Sequence, residues 1–257
     1  MTHTQEATMD VTATAPLTHV QGMALFATEL QRNLDVMQGL GGPAWSSQTE
    51  CPDWDVRRMY LHVLGACESG ASTRELVHQM RRARTYQKRN GGPLEAALSA
   101  TQVAERIDLT PAQLASRFEA IAPVTVRKRT RMPALMRRAS MKVDGPVVEK
   151  WTLGYLIDTI YLRDAWMHRV DVTRATGAAL VLTPDHDGRI VADVVAEWAR
   201  RHGRPFTLHL TGPAGAAFTS RRPSATDPVL EMDAVEFCRV LAGRAPGEGL
   251  LATIVPF

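Results

Sequence analysis

In the stretch "RDAWMHRVD" (163–171), Asp164 and His168 stand four residues apart. On a helix they project from one face, one turn apart. A carboxylate and an imidazole at that spacing can converge on one divalent ion without bending the backbone. The same spacing also suits an ordinary side-chain contact, worth only about a few tenths of a kcal/mol. The flanks bear on that choice. Leu153, Leu156, Ile157, Ile160, Leu162, Trp166, Met167 and Val170 are apolar around much of the helix circumference, which predicts burial. A buried Asp beside His wants a partner that compensates its charge.

A third ligand has to come from another element. Of the eight histidines, His62 is the distinctive one, because "MYLHVLG" surrounds it with apolar residues. It reads either as a hydrogen-bonded core histidine or as the third member of a facial His/Asp/His set with open coordination positions. Asp171, three residues after His168, reads either as an acceptor that orients the imidazole or as a surface partner of Arg169 or Arg174. Trp54 reads as a staple of its loop onto the helices rather than a substrate contact, and Cys51 as a small packing residue rather than a reactive thiol, with nothing nearby in sequence to lower its pKa.

The elements that would position these groups are mostly helical. Apolar residues recur at helical spacing from Leu17 to Gly39, and "GLGGP" then stops the helix. After "SSQTECPDWDV", Asp53 or Asp55 can cap a second helix that continues from Val56 through "STRELVHQMRRA". A third helical region spans Leu94 to about Ile107 and restarts at Thr110–Pro111. Residues 123–146, with three prolines and the basic run "RKRTRMPALMRR", are expected to be irregular. A long helix then runs from about Thr152 to Thr176 and ends at Gly177.

Composition changes after that point. "ALVLT" predicts a strand, "DHDGRIVADVVAEWARRHG" an amphipathic helix, and "PFTLHLTG", "AAFTS", "PVLEM" and "LLATIV" further strands. "MDAVEFCRVLAG" predicts a capped helix. The expected layout is a mobile polar tail at 1–16, a helical bundle at 17–178 and a small α+β domain at 179–257.

The chain has 257 residues, 45% hydrophobic and 22% charged, with a formal charge of +3. That is ordinary for a globular protein with a substantial core. The small net charge, with no aromatic nucleic-acid platform, argues against nucleic acid and leaves the arginine clusters as solvated surface or a rim for an anionic substrate. No apolar run approaches the roughly 20 residues of a membrane helix. The N-terminus lacks the basic and apolar regions of a secretory signal. Three cysteines form no disulfide framework, which suits a reducing, cytoplasmic setting.

"CPDWDVRRMYLHVLGA" resembles the Cys-Pro-x-Trp-x-Val…His signature of the mycothiol-dependent maleylpyruvate isomerase family, itself part of the DinB-like metal-binding bundles. "GYLIDTIYLRDAWMHRVDVTRATG" resembles that family's second signature, an acid upstream of His followed by Arg, a spacer and Asp. "MDAVEFCRVLAGRAPGEG" is similar to part of its smaller sterol-carrier-like domain. The resemblance implies an α-helical DinB-like four-helix bundle followed by a small α+β domain. It implies His62, Asp164 and His168 as ligands of a divalent metal, zinc first, with nickel, iron or manganese as alternatives. The family pattern has Glu where this chain has Asp164, one methylene shorter. Mycothiol is implied as thiol cosubstrate, acting on a small electrophile, in a monomer or small homo-oligomer. Arg244 resembles a family position that could meet a substrate carboxylate, with Arg221 and Arg222 as rivals. The expected activity is thiol transfer or cis–trans isomerisation. A ligand-binding protein and a metal-hydroxide hydrolase of the same bundle type are the alternatives.

Overall fold

The structure is a computed structural model that describes residues 8–144, 148–220, 224 and 226–257. Its contacts divide the chain into Thr18–Ala179 and a second unit made of the residues up to Leu17 together with Leu180–Phe257. Part of the expected tail is therefore structured. Strand β1 (Met9–Asp10) pairs in parallel beside Phe218 and Thr219, and Val11 is buried. Residues 1–7, the rest of the expected tail, lie outside the described residues.

In the helical unit, α1 (His19–Gly39) opens with a capping box. Thr18 accepts the Gln21 amide hydrogen while the Gln21 side chain accepts that of Thr18. Its buried Met23, Phe26, Leu30, Leu34 and Met37 fall three or four apart, giving one apolar stripe. Of the two expected caps, Asp55 starts α2 (Val56–Ala71), accepting the Arg58 amide hydrogen at 2.7 Å. The expected continuous second helix breaks at Ser72, which adopts φ −142° and ψ 118° and caps α3 (Thr73–Asn90). A serine that can satisfy free amides favours a restart at that point. Helix α4 (Leu94–Ala104) follows, and α5 (Pro111–Thr130) begins with the expected Thr110 cap and Pro111 in its first turn.

Residues 123–146 are more regular than the sequence reading expects. Helix α5 runs through Pro123 to Thr130, and Arg127, Lys128 and Arg129 complement the negative end of its dipole. Arg129 is buried, its guanidinium 3.8 Å from the centre of the Tyr161 ring. After the short α6 (Ala134–Arg137), β2 (Ser140–Asp144) and β3 (Val148–Thr152) pair antiparallel, Ser140 opposite Thr152. The long helix is interrupted as well: α7 (Leu153–Tyr155) passes through a π turn at Leu156–Ile160 into α8 (Tyr161–Thr176), which Gly177 closes at φ 70°.

Helix α2 packs on α5, α5 on α1, α1 on α8, and α8 on α2, closing a four-helix ring, with α3 and α4 packed on each other and on α2. A Cβ at Gly22 would lie 2.5 Å from the Asp158 carbonyl oxygen, so α1 meets the π turn backbone to backbone. A buried fork fixes the rotation of α8. Arg169 donates from Nε to Glu29 Oε1 at 2.6 Å and from Nη2 to Oε2 at 3.0 Å. Asn33 donates to Glu29 and to the Ala165 carbonyl at 3.1 Å.

In the second unit, the stretch expected as strand "ALVLT" has no regular structure. Pro184 follows it, and Val181 is exposed where a paired strand would bury one face. A π turn at Pro184–Gly188 leads into α9 (Arg189–His202), ended by Gly203. Strands β4 (Thr207–Thr211), β5 (Ala217–Thr219) and β6 (Val229–Asp233) form a sheet ordered β1-β5-β4-β6. Leu208 and Leu210 are buried, as the alternation predicts. Asp233 caps α10 (Ala234–Leu241), and Trp198 packs between Phe206 and Phe237. "LLATIV" is a 3-10 turn at Gly249–Ala252 followed by extended chain, not a strand. Gly249 takes φ 59°, and the Val255 amide donates to Leu241 rather than to a sheet.

Candidate metal centre

His62 projects from α2, and Asp164 and His168 from α8, into one place. One ligand atom from each lies within 4.8 Å of the others. His168 Nε2 is 3.2 Å from Asp164 Oδ1, and His62 Nε2 is 3.7 Å from Asp164 Oδ2. The imidazoles meet edge to face, with centres 5.3 Å apart. Both histidines are buried, whereas 27% of the Asp164 side chain is exposed.

Several features fit this cluster to a divalent cation. Both ring nitrogens of His168 are buried and make no hydrogen bond. Buried polar atoms ordinarily find a partner, and an orphaned imidazole nitrogen facing a carboxylate is the arrangement an ion would complete. Two imidazoles and one carboxylate are a donor set suited to zinc and its neighbours. Burial opposes ionisation of Asp164, but His168 and then His62 outweigh it and hold the carboxyl well below its usual range. Burial likewise disfavours the imidazolium of His168, yet Asp164 and then Asp171 push that group up to about 9. Asp164 thus brings negative charge to the cluster, and a cation bound there would take the place of the His168 proton.

The surroundings fix the candidate ligands. His62 donates from Nδ1 to Gln102 Oε1 at 2.8 Å. Asp171 is fully buried, with Oδ2 3.5 Å from His168 Nδ1, an ion-pair separation. The Trp54 ring lies 4.9 Å from the His62 ring and 6.1 Å from that of His168, so it walls the site as well as anchoring its loop. Gln48 supports that loop by donating to the carbonyls of Thr49, Cys51, Pro52 and Trp54.

Sequence reasoning missed Gln102, because no local pattern tells a buried glutamine forty residues away that it faces His62. Of the three cysteines, burial pushes Cys67 up to about 12, Cys238 is buried, and Cys51 is partly exposed in the loop before Trp54. Arg244 lies after α10 in the second unit and donates from Nη1 to the Ala242 carbonyl at 3.2 Å. Arg221 and Arg222 lie outside the described residues.

A four-helix ring with a His/Asp/His cluster between two of its helices, joined to a small mixed-sheet unit, defines a class of helical bundle. The chain belongs to the mycothiol maleylpyruvate isomerase N-terminal domain family, an enzyme family, which it matches over residues 26–173. Two crystal structures share the fold: that of mycothiol-dependent maleylpyruvate isomerase, at 14% identity, and that of a histidine-to-alanine variant of it, at 13%. Each comparison covers 92% of both chains with a TM-score of 0.56. A comparison with curated proteins finds no match.

Proposed function

We propose that this chain holds a divalent metal, zinc first, on His62, Asp164 and His168. With it the chain would use a low-molecular-weight thiol, mycothiol, to isomerise or conjugate a small electrophile. The observation that carries the reading is the convergence of the three ligand atoms within 4.8 Å around a buried, unbonded His168 Nε2. Family membership supports the choice of thiol. When bound, the metal supplies positive charge that favours the thiolate over the thiol.

The chain's own residues do the rest. His62 and His168 bring their Nε2 atoms to the two oxygens of Asp164, Asp164 brings the negative charge, and the Trp54 ring lies against His62. Thiolate sulfur adds to one alkene carbon of the electrophile as the π pair moves to its carbonyl, and the thiol's proton goes to solvent. If the C–S bond then breaks after rotation about the former double bond, the trans isomer forms and thiolate returns. If a proton reaches the adjacent carbon instead, a thiol conjugate remains. Arg244 is proposed as an anchor for a substrate carboxylate, so Arg244→Ala should raise KM for an acidic electrophile.

No helix among the described residues is long and apolar enough to cross a membrane, and the proposed setting is the cytoplasm. The test is turnover of a cis enedione acid with mycothiol, with and without chelator. Loss of turnover on chelation and its return with added zinc are expected. Full activity in chelator, or without thiol, would overturn the reading.

A further inference from the structure

We infer that a relay of two side-chain amides, Gln102 and Gln79, fixes which nitrogen of His62 faces the metal site. The argument starts at the far end of the relay. Gln79 Nε2 donates to the Gly65 carbonyl at 3.0 Å and to Glu75 Oε1 at 2.8 Å. A backbone carbonyl can only accept, and so can an ionised carboxylate. Burial opposes ionisation of Glu75, but Gln79 and Arg106 outweigh it and hold that carboxyl below its usual value; Arg106 Nη2 reaches Glu75 Oε1 at 2.8 Å.

The amide of Gln79 therefore has to turn its nitrogen to that end and its oxygen to Gln102. Gln102 in turn has to present its nitrogen to Gln79, which it does at 2.9 Å. Its oxygen is left for His62 Nδ1, at 2.8 Å, and that nitrogen must carry the proton. The Nε2 lone pair of neutral His62 is then free on the side of Asp164. Turning either amide over would set oxygen against oxygen in a buried place, since Gln79 is 0% and Gln102 is 2% exposed. Hydrogen positions follow here from the acceptor-only groups at the end of the relay.

The fold makes room for this relay. A Cβ at Gly65 would lie 2.7 Å from both Cβ and Cγ of Gln102, so glycine admits the Gln102 stem while its carbonyl anchors Gln79. Arg106 steadies the other side, donating from Nη1 to the Gln102 carbonyl at 3.0 Å. Gln102 and Gln79 are thus positioning residues: neither touches the place of the metal, and both act through His62.

The consequence for metal affinity rests on the reading proposed above, whereas the tautomer of His62 does not. Two measurements separate them. The first is the ring tautomer of His62 in metal-free protein at mildly alkaline pH, from long-range 1H–15N NMR correlations. The second is the zinc dissociation constant by competition with a chromophoric chelator. The parent should show the Nδ1–H tautomer. Gln102→Leu should give a mixed tautomer and weaken zinc binding by about 10–100-fold.

Gln79→Leu, which removes the polarity without touching His62, should mix the tautomers in a protein with a parental circular dichroism spectrum. A purely Nδ1–H ring in both leucine variants would overturn the relay, as would unchanged zinc affinity in Gln102→Leu when the parent binds zinc. A parent that binds no zinc, yet whose tautomer shifts in both leucine variants, would sink the metal reading and uphold the relay.

Discussion

His168 Nε2 stands 3.2 Å from Asp164 Oδ1, one turn along the same helix, yet is buried without a hydrogen bond. The pair is close enough to share an ion and is not closed on itself, and the proposed chemistry depends on that geometry. Asp164 is also the residue at which the chain departs from the family pattern, with one methylene less. Asp164→Asn, which removes the charge, should weaken zinc binding by more than about tenfold, whereas Asp164→Glu should stay within about tenfold of the parent. Equal affinities in parent and Asn variant, measured by chelator competition, would remove Asp164 from the ligand set.

The same pair gives the metal-free protein a pH signature. His168 is raised from its ordinary 6.5 to about 9, so its contribution to stability is fully present below about 6.5 and is lost as pH rises through about 9. Asp164 is lowered below its ordinary 3.8, so its contribution is present above that value and is lost in acid as pH falls through the depressed value. Metal has to displace the His168 proton, so zinc affinity should climb as pH rises toward about 9. Melting temperatures of chelated protein across the alkaline window test the first part. A Tm that does not fall there, with pH-independent zinc affinity, would contradict it.

The fork between α1 and α8 should be a large single contributor to the helical unit. Glu29→Ala leaves the Arg169 guanidinium buried without its bidentate partner, and should destabilise the protein by about 3–5 kcal/mol in urea titration. Because the fork sets the rotation of α8, the variant should also weaken zinc binding. A loss below about 1 kcal/mol would show that the pair is replaceable there.

Much of this was legible in the sequence, and the reasons differ from residue to residue. Thr110–Pro111 and Gly177 carry local rules, so the helix ends they define can be read directly, whereas the cap of α2 is legible only as Asp53 or Asp55. The i, i+4 pair Asp164 and His168 with apolar flanks points into a core by periodicity alone. His62 is a candidate third ligand from its apolar flanks, and the family resemblance favours that over a hydrogen-bonded core histidine. The π turn at Leu156–Ile160, the helical course through Pro123 and the β2–β3 hairpin were not legible, because they answer to tertiary packing rather than local preference. The break at Ser72 is only a serine within a helical pattern until its cap is seen. Gln102 and Gln79 acquire meaning only through partners distant in the chain.

Cysteine labelling offers an independent check on the core. Cys67 is buried and pushed up to about 12, and Cys238 is buried, whereas Cys51 is partly exposed in the loop before Trp54. Alkylation of native protein followed by mass spectrometry should mark Cys51 first, and the other two only after denaturation. Rapid native labelling of Cys67 would mean that α2 is not packed as described.

The most direct measurement of the central claim is elemental analysis of protein purified without a histidine tag or added metal, beside His62→Ala, Asp164→Ala and His168→Ala. The account predicts about one divalent metal per parent chain and substantial loss in each variant, with circular dichroism confirming that the helices persist. Stoichiometric metal retained in all three variants, or none in a parent supplied with zinc, would contradict it.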